Sequence, residues 1–314
     1  MQSFIRAVEI WTPNDAGTSL EFADGIYHDS LDEFREISEL AMFARDDGLP
    51  GKAWAAGHPV ILTNFADSYF RRADEARQFG LSCAVAIPLF AGTGIKAVMG
   101  LLCGSDVDDD VGAIELWHNK AELSHEMTLL DGYYGAAKDF EFNSQHTTFL
   151  RGYGLPGRAW KADGPVLIKD IGEVRQFLRA ADAAKAGMNF GLAIPYTNGG
   201  DETWVISFLS ASSTPIARRC EIWQPGPSDG TLSFHSGFCS SGANLDAIFS
   251  GKTVGKGEGT LGQAFASAAP AIGADLTQES SIAARAAAKA GLRQTFVLPV
   301  LRGAGLQALV AWYP

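Results

Sequence analysis

The chain has little basic charge, and this restricts the partners it can have. Lys and Arg total 25 against 36 Asp and Glu, which gives a formal net charge of −11 and a pI near 5.0. Nucleic acid duplexes and anionic membrane surfaces attract proteins of the opposite charge. We therefore expect neither nucleic acid nor a membrane among its partners.

Cysteine is also scarce, and the start of the chain carries no targeting signal. The 314 residues include 4 cysteines, too few for the disulfide framework of a secreted domain. The opening MQSFIR lacks a basic segment followed by a long apolar run, so no secretory signal is indicated. The apolar stretch 83–104 contains Pro88 and the turn AGTG, which favours a buried hairpin over a membrane span. These features predict a cytoplasmic protein.

What the chain does have is a threefold repeat. GLPGKAW (48–54) returns as GLPGRAW (154–160) and, in altered form, as GTLGQAF (259–265). Other landmarks recur in the same order: Glu-x-Trp (9–11, 115–117, 221–223), Asp-Gly or Ser-Gly (24–25, 131–132, 236–237), a Pro-Val or Pro-Ala strand (59–62, 165–168, 270–272), Gly-Leu or Gly-Met (80–81, 187–188, 291–292) and an x-Pro-x strand end (87–89, 194–196, 298–300). Self-similarity at a fixed period identifies repeated structural units. We predict repeat 1 at 1–106, repeat 2 at 107–213 and repeat 3 at 214–314.

Each repeat has the same predicted order of elements. Two strands precede an amphipathic helix, and the Gly-Leu-Pro-Gly turn then enters a short helix. A short strand, a second helix ending in Gly and an apolar hairpin complete the unit. In repeat 1 these elements are predicted at 4–12, 20–27, 30–40, around Trp54, 60–63, up to Gly80, and at 81–90 and 95–103. The first hairpin strand has small Ala84 and Ala86 on one face, which indicates close approach by a helix or a ligand.

The repeated pattern resembles the GAF domain family. GLPGRAWKADGPVLIKD (154–170) followed by AGMNFGLAIPY (186–196) is similar to the family's Gly-x-x-Gly turn, short strand, helix and Pro-ending strand. Repeat 1 has Asn64 where repeat 2 has Asp170, and repeat 3 lacks the turn proline. The resemblance implies an α+β fold, an α/β sandwich, with three GAF-like units. Each unit would have a mainly antiparallel sheet of five to six strands with helices on one face.

One departure from the family affects how the repeats pack. GAF domains usually carry long helices before the first strand and after the last. The joins at 104–112 and 211–216 are too short for such helices. The uncovered sheet faces must therefore pack against one another or against another chain. We expect a compact three-lobed body, with a homodimer as an alternative.

Several local motifs have ordinary explanations. Gly257-x-Gly259-x-x-Gly262 spells a dinucleotide fingerprint, but no clear strand precedes it and the repeat already accounts for two of its glycines. Ser250-Gly-Lys-Thr253 lacks the upstream glycine of a phosphate loop. The 6 histidines occupy no repeated position and form no metal-binding pair, so we expect no metal site. The acidic run 106–110 is interpreted as a solvated linker.

The cysteines allow two interpretations. Cys83 and Cys103 fall nearly opposite one another on the predicted hairpin, as a redox pair would. Cys220 and Cys239 flank a second predicted hairpin in poorer register. Buried thiols that fill a sheet core explain the same positions. Because repeat 2 has no cysteine, thiol chemistry cannot be the role that the repeats share.

These observations favour a non-catalytic function. We expect a cytoplasmic sensor that binds an unidentified small molecule and acts on a separate protein, since no output domain is recognised; the ligand or cofactor stays unknown. The resemblance places the ligand between the sheet and the helices. The residues implied are Trp54, Tyr69, Phe70, Cys83 and Val85 in repeat 1, Trp160, Phe177, Phe190 and Leu192 in repeat 2, and Phe265, Gln294 and Phe296 in repeat 3. The alternatives are an interaction scaffold whose cavities are filled by side chains, and a thiol redox enzyme that uses Cys83 and Cys103.

Overall fold

Three antiparallel sheets, each of six strands, form the framework of the protein. The structure is a computed structural model that describes residues 4–66, 68–104, 112–173, 178–211, 214–226 and 230–314. Each sheet has the same strand order, in which the first strand of the repeat pairs with the second strand and with the last. The expected α+β fold with GAF-like units is confirmed.

The elements follow one another in the predicted order. Repeat 1 contains β1 (Ile5–Pro13), β2 (Ser19–Tyr27), α1 (Asp32–Glu39), β3 (Met42–Ala44), α2 (Gly48–Ala56), β4 (Val60–Leu62), α3 (Ala73–Gln78), β5 (Leu81–Ala91) and β6 (Gly94–Gly104). Repeat 2 contains β7 (Gly112–Lys120), β8 (Glu126–Tyr133), α4 (Lys138–Gln145), β9 (Thr148–Leu150), α5 (Gly154–Ala162), β10 (Val166–Ile168), α6 (Ala180–Lys185), β11 (Phe190–Tyr196) and β12 (Glu202–Ser210). Repeat 3 contains β13 (Arg219–Pro225), β14 (Thr231–Cys239), α7 (Leu245–Phe249), β15 (Thr253–Gly255), α8 (Gly259–Ser267), β16 (Ala271–Gly273), α9 (Ile282–Lys289), β17 (Thr295–Arg302) and β18 (Gly305–Tyr313).

The repeated heptad has a geometric cause. Its first glycine has a positive φ, +59° at Gly48 and +63° at Gly154, which other residues adopt only with strain. Its second glycine lies against the preceding strand, where a Cβ on Gly51 would be 2.1 Å from the carbonyl oxygen of Ala44. The same contact occurs at Gly157 and Gly262. Both glycines are therefore required for the short helix to begin in close contact with the preceding edge strand.

The second strand of every repeat has a β-bulge opposite the same point of the first strand. The pairing register shifts immediately before Trp11, Trp117 and Trp223, where the partner strand carries one extra residue. A bulge re-aims the side chains around it. In all three repeats the tryptophan after the bulge belongs to the core under the helices.

The chain forms two compact units, 1–216 and 217–314. Within the first unit, the repeats touch through the sheet faces that lie away from the helices. The rings of Phe4 and Tyr133 are 6.1 Å apart, and the Tyr133 hydroxyl is 3.0 Å from the hydroxyl of Ser82. The joins 105–111 and 212–213, and with them both predicted repeat boundaries, include residues outside the described part, so those boundaries stay a prediction.

The apolar stretch 83–104 forms the predicted hairpin, β5 with β6. Small residues line one face of β5, and Ala84 and Ala86 belong to the core under the helices. Among the described residues, no helix has both the length and the apolar character of a membrane span.

Candidate functional site

The centre of repeat 1 holds a buried carboxylate. Glu9 on β1 is 1% exposed and points into the space between the sheet and the helices. Its oxygens accept hydrogen bonds from Arg72 at 2.6 and 2.8 Å, from the Trp11 indole at 3.1 Å and from the Tyr27 hydroxyl at 2.9 Å. Because a buried charge is tolerated only when it is paired and fully hydrogen-bonded, these donors are what permits the carboxylate to be there.

Arg72 is enclosed as completely as the carboxylate it binds. The residue immediately precedes α3 and is 4% exposed. Its guanidinium also donates to the Ser38 hydroxyl. The guanidinium carbon lies 4.9 to 5.7 Å from the centroids of the rings of Phe34, Phe70, Trp11 and Phe43. Such a cage favours a cation.

The electrostatics of the pair follow from burial and proximity. Burial acts to raise the pKa of Glu9, but the adjacent Arg72 charge and the hydrogen bonds outweigh it and hold that pKa below its usual value. Burial and the Glu9 charge raise the pKa of Tyr27. The carboxylate is therefore ionised and the phenol is its neutral donor.

Repeat 2 reproduces the arrangement. Glu115 accepts hydrogen bonds from Arg179 at 2.8 Å, from the Trp117 indole at 3.0 Å and from the Tyr134 hydroxyl at 3.1 Å. Arg179 also donates to Ser144. The Arg179 charge, working against burial, lowers the pKa of Glu115. Two repeats thus hold the same ionised pair at the same place.

Repeat 3 keeps the carboxylate but changes its partners. Glu221 accepts hydrogen bonds from the Trp223 indole at 2.7 Å and from the Tyr313 hydroxyl at 3.0 Å. Its cationic partner is Arg219, two residues away on the same strand. The position that corresponds to Arg72 is Ala283, inside α9, and that helix begins earlier, with Ser281 as its N-cap. In repeat 3 the cation and the phenol are therefore supplied by other elements than in repeats 1 and 2, although the carboxylate is at the same place.

The new arrangement compensates the charges less well. Among the described residues, no serine hydroxyl is hydrogen-bonded to Arg219, whose guanidinium carbon lies 5.4 Å from the ring centroid of Phe249 and 5.3 Å from that of Tyr313. Within the described part of the chain, all three arginines have a buried nitrogen without a hydrogen-bond partner, Nη1 in Arg219 and Nε in Arg72 and Arg179, so the difference lies in the pKa of the carboxylate. Burial outweighs the Arg219 charge and raises the pKa of Glu221. The same carboxylate is thus shifted in opposite directions in repeats 1 and 3.

Little space remains at the centre of repeat 1. The cavity bordered by Glu9, Leu49, Phe70, Arg72 and Val85 has a volume of about 10 Å³. That is the room of one water molecule. The protein's own arginine occupies the position where the resemblance predicts a ligand.

The structure disperses the predicted ligand residues of repeat 1. Phe70 and Val85 border the small central cavity, and Trp54 is partly buried against the core beside it. Tyr69 lies at the surface, 38% exposed, with the Lys52 ammonium 5.5 Å from its ring centroid. Cys83 alternates with Ala84 and Ala86, so it faces away from the helices.

The predicted residues of repeat 2 are divided in the same way. Trp160 is partly buried against the core under the helices. Phe190 and Leu192 alternate with Gly191 and Ala193, and it is Gly191 that faces helix α5 through Leu155. Phe177 lies outside the described residues.

In repeat 3, Phe265 is partly buried, with the Lys256 ammonium 5.2 Å from its ring centroid. Gln294 precedes β17 and is partly exposed. Phe296 stacks on Trp312 at 5.0 Å, on the face opposite Val297 of the core under the helices. Whether any of the predicted residues binds a ligand stays a prediction.

Sequence reasoning missed the buried pairs, although a signal was present. Glu-x-Trp recurs in all three repeats, and an acidic residue fixed at the centre of a core strand needs a buried cation. Arg72 and Arg179 recur at the equivalent place before a helix. Read together, those two repeats would have predicted the pairs.

The cysteine pair of repeat 1 and a metal centre are the two other kinds of site considered from the sequence. Cys83 and Cys103 are paired in register, as predicted, and both are fully buried and reduced. Over the part of the chain that the structure covers, no three His, Cys, Asp or Glu side chains are grouped as metal ligands.

Comparison with known proteins identifies the repeated unit. Residues 6–122 match the GAF domain family. Among curated proteins, no match was found. Similar solved structures include the A. aeolicus NLH2 GAF domain in an inactive state (19% identity, TM-score 0.26), the Neisseria meningitidis free methionine-R-sulfoxide reductase in complex with its substrate (15%, 0.26) and a GAF domain/HD domain protein from Geobacter sulfurreducens (14%, 0.27). Each match covers 32% of this chain and 58%, 53% and 64% of those chains, respectively. At such scores we draw nothing further from these structures.

Proposed function

We propose that this chain of three tandem GAF-like repeats is a regulatory scaffold that acts by binding another protein, and that the centres of repeats 1 and 2 do not take a ligand. The observation that supports this is Arg72, whose guanidinium fills the space between sheet and helices. A cavity of about 10 Å³ remains there. Ligand pockets usually measure about 300 to 1,000 Å³.

The energetics of the pair support a permanently filled centre. Moving the arginine aside would leave the fully buried Glu9 without its cation. Breaking a buried pair in this way costs about 3 to 5 kcal/mol. A ligand would have to supply that free energy before gaining any affinity of its own. The same reasoning applies to Arg179 and Glu115.

Small-molecule sensing is the second candidate function, and it needs a ligand site other than the centres of repeats 1 and 2. An open cleft of about 330 Å³ between repeats 1 and 2 favours it. Repeat 3 remains a candidate for sensing, because there the Arg219 charge does not outweigh the cost of burying Glu221. In repeat 3, Phe265, Gln294 and Phe296, the residues implied by the resemblance, belong to this candidate.

Thiol chemistry has less support. Catalytic thiols require solvent access and a lowered pKa. Cys83 and Cys103 are fully buried, and burial raises the pKa of Cys220. The cytoplasmic setting, the separate partner protein and the homodimer are parts of the proposal that follow from sequence and resemblance alone.

Native mass spectrometry of the full chain, repeated after denaturation, tests the scaffold proposal. We expect the mass of the bare polypeptide at every charge state, and the same spectrum gives the oligomeric state. A non-covalent mass that leaves on unfolding would contradict filled centres if it persists in Asp131→Asn, a variant of the cleft. Its loss in that variant would assign the ligand to the cleft instead.

A further inference from the structure

A group of basic and aromatic side chains, here called the basic patch, lies on the surface of repeat 2. It consists of Arg151 and Tyr153, which precede α5, and of Arg158, Trp160 and Lys161 on that helix. Arg151 and Lys161 are exposed, and Arg158 is half-buried. The Tyr153 side chain is 54% exposed. Basic and aromatic groups are thus presented to solvent together.

The members of the basic patch lie close to one another. The Arg151 guanidinium carbon is 5.9 Å from the ring centroid of Trp160. The Gly152 amide donates a hydrogen bond of 2.6 Å to the backbone carbonyl just before Arg158. A Cβ on Gly152 would be 2.9 Å from Cδ of Lys161, so this lysine covers the same glycine. The three basic side chains therefore surround one turn of the backbone.

No acidic side chain neutralises these charges. Within the described part of the chain, no ion pair or side-chain hydrogen bond joins Arg158 or Lys161 to an acidic residue, Asp163 at the end of α5 included. The same holds for Arg151, which contacts the Trp160 ring. The patch is therefore positively charged, although the chain as a whole has a net charge of −11.

Repeat 1 has basic residues at two of the same positions but neutralises them. Arg45 and Lys52 align with the two arginines of the patch. The Lys52 ammonium is 2.9 Å from the carboxylate of Asp46. The next residue, Asp47, pairs at 2.8 Å with Arg71. In repeat 1 the chain thus supplies its own carboxylates to this surface.

Repeat 2 lacks both of these acids. Gly152 and Tyr153 stand at their positions, and Lys161 adds a charge where repeat 1 has alanine. In repeat 3 the aligned positions hold one base, Lys256, and one acid, Glu258. Repeat 2 is therefore the copy that has bases and no acid at these positions. Such a surface is complementary to an anion supplied by another molecule.

A protein segment suits this surface better than a nucleic acid does. The acidic remainder of the chain repels a long duplex, which is uniformly negative. A short segment responds mainly to charges within about 10 Å, the screening length at 0.1 M salt. Arginine forms paired hydrogen bonds with a carboxylate. The exposed ring of Tyr153 adds an aromatic contact of the kind that is enriched in protein interfaces.

We propose that the basic patch of repeat 2 binds an acidic segment of the partner protein. Carboxylates of that segment pair with Arg151, Arg158 and Lys161, and an apolar side chain packs against Tyr153. This inference rests on the scaffold proposal, because it names the surface through which the scaffold holds its partner. The basic residues lie outside the buried pair of Glu115, so docking leaves the centre of repeat 2 filled.

Fluorescence anisotropy of rhodamine-labelled hexaglutamate, titrated with the full chain, tests the inference, with labelled hexaglutamine as the neutral probe. We expect saturable binding of hexaglutamate, weakened by added NaCl, and none of hexaglutamine. Arg158→Ala with Lys161→Ala should weaken binding by about fivefold or more, because two exposed ion pairs are lost. Gly152→Asp with Tyr153→Asp should weaken it as much, since it restores the acids of repeat 1.

Lys52→Ala is the matched control, since it removes the aligned base of repeat 1, which is already paired with Asp46. It should bind hexaglutamate as the parent chain does. Circular dichroism establishes that each variant is folded, and the alanine variant suffices if the aspartate variant is not.

Absence of saturable hexaglutamate binding overturns the inference, and so does equal binding by the parent chain and the alanine variant. Tighter binding of rhodamine-labelled oligothymidylate than of hexaglutamate also overturns it and assigns the surface to nucleic acid. None of these results bears on the filled centres of repeats 1 and 2, because native mass spectrometry tests those separately.

Discussion

Arg219 reaches Glu221 from two residues away on the same strand, whereas Arg72 reaches Glu9 from 63 residues away. Both arginines bring a guanidinium to a buried carboxylate at the same point of the fold. The sequence position that supplies the cation has changed between repeats, but the need for one has not. A buried carboxylate without a cation is more costly than either solution.

The move of the buried cation to the first strand in repeat 3 changes how the last helix of the repeat is held. In repeats 1 and 2 the arginine ties the segment before α3 or α6 to the first strand. In repeat 3 that position is Ala283, inside α9, and the helix begins earlier at Ser281, whose hydroxyl accepts a hydrogen bond from the amide of Ala284. The helix there begins with an ordinary N-cap and no longer depends on the buried pair.

Loss of the Arg72 side chain should strongly destabilise the chain. Arg72→Ala leaves Glu9 buried without its cation, and we expect the free energy of unfolding to fall by about 3 to 5 kcal/mol. Urea denaturation followed by circular dichroism measures the change. The neighbour Arg71 is the matched control, because it is an exposed partner of Asp47 and Arg71→Ala should cost less than about 1 kcal/mol.

The double variant Glu9→Leu with Arg72→Met separates the charge effect from simple loss of packing. Replacing a buried pair by apolar residues of similar volume is often neutral. The double variant should therefore be more stable than Arg72→Ala. If both variants lose the same free energy, packing rather than the unpaired charge is responsible.

The second glycine of the heptad should tolerate no side chain. Gly51→Ala would place a Cβ 2.1 Å from the carbonyl oxygen of Ala44, so the short helix must move. Strain of this kind makes Gly51→Ala destabilising by about 2 kcal/mol or more, as core overpacking does. Gly94→Ala is the control, since its nearest atom is 3.7 Å away. Equal melting temperatures for the two variants would refute the steric explanation.

The fold could be predicted from the sequence because each motif depends on neighbouring residues and occurs three times. The heptad, the Pro-ending strand and the apolar hairpin each depend on neighbouring residues, and repetition separated them from chance. The alternation in β5 predicted that a helix or a ligand would approach Ala84 and Ala86 closely, and both residues belong to the core under the helices. What could not be predicted was whether that space would hold a ligand or a side chain.

The occupant of the repeat centre depends on distant residues. Arg72 and Glu9 meet only after the sheet and helices have assembled, and only the comparison of repeats separates Arg72, which recurs as Arg179, from Arg71, which aligns with Leu178. Phe296 illustrates the other difficulty, because a strand buried on both faces gives no pattern that tells one face from the other. The cleft between repeats 1 and 2 is harder still to predict from the sequence, since its walls come from two repeats.

The cysteines should be unreactive in the folded protein. Cys83, Cys103, Cys220 and Cys239 are all buried, so a thiol reagent such as DTNB should label them only after unfolding. Labelling of the native chain, compared with the chain in guanidinium chloride, measures this. Rapid and selective reaction of one cysteine in the native protein would favour the alternative of a thiol redox enzyme.

The buried carboxylates of repeats 1 and 3 should respond to pH in opposite directions. The folded pKa of Glu9 is below its usual value of 4.5, so its contribution to stability is present above that value. That contribution is lost as the pH falls through the folded pKa. In Glu9→Leu with Arg72→Met, the free energy of unfolding should therefore fall less on acidification than in the parent chain.

Glu221 has a raised pKa in the folded protein, so its contribution is present below the usual value of 4.5. That contribution is lost as the pH rises through the folded pKa. Glu221→Gln remains neutral and should lose less stability over this rise than the parent chain. Urea denaturation of the three proteins between about pH 3 and pH 8 measures both slopes. If Glu221→Gln and the repeat 1 double variant change the pH profile in the same direction, the difference assigned to Arg219 and Arg72 is wrong.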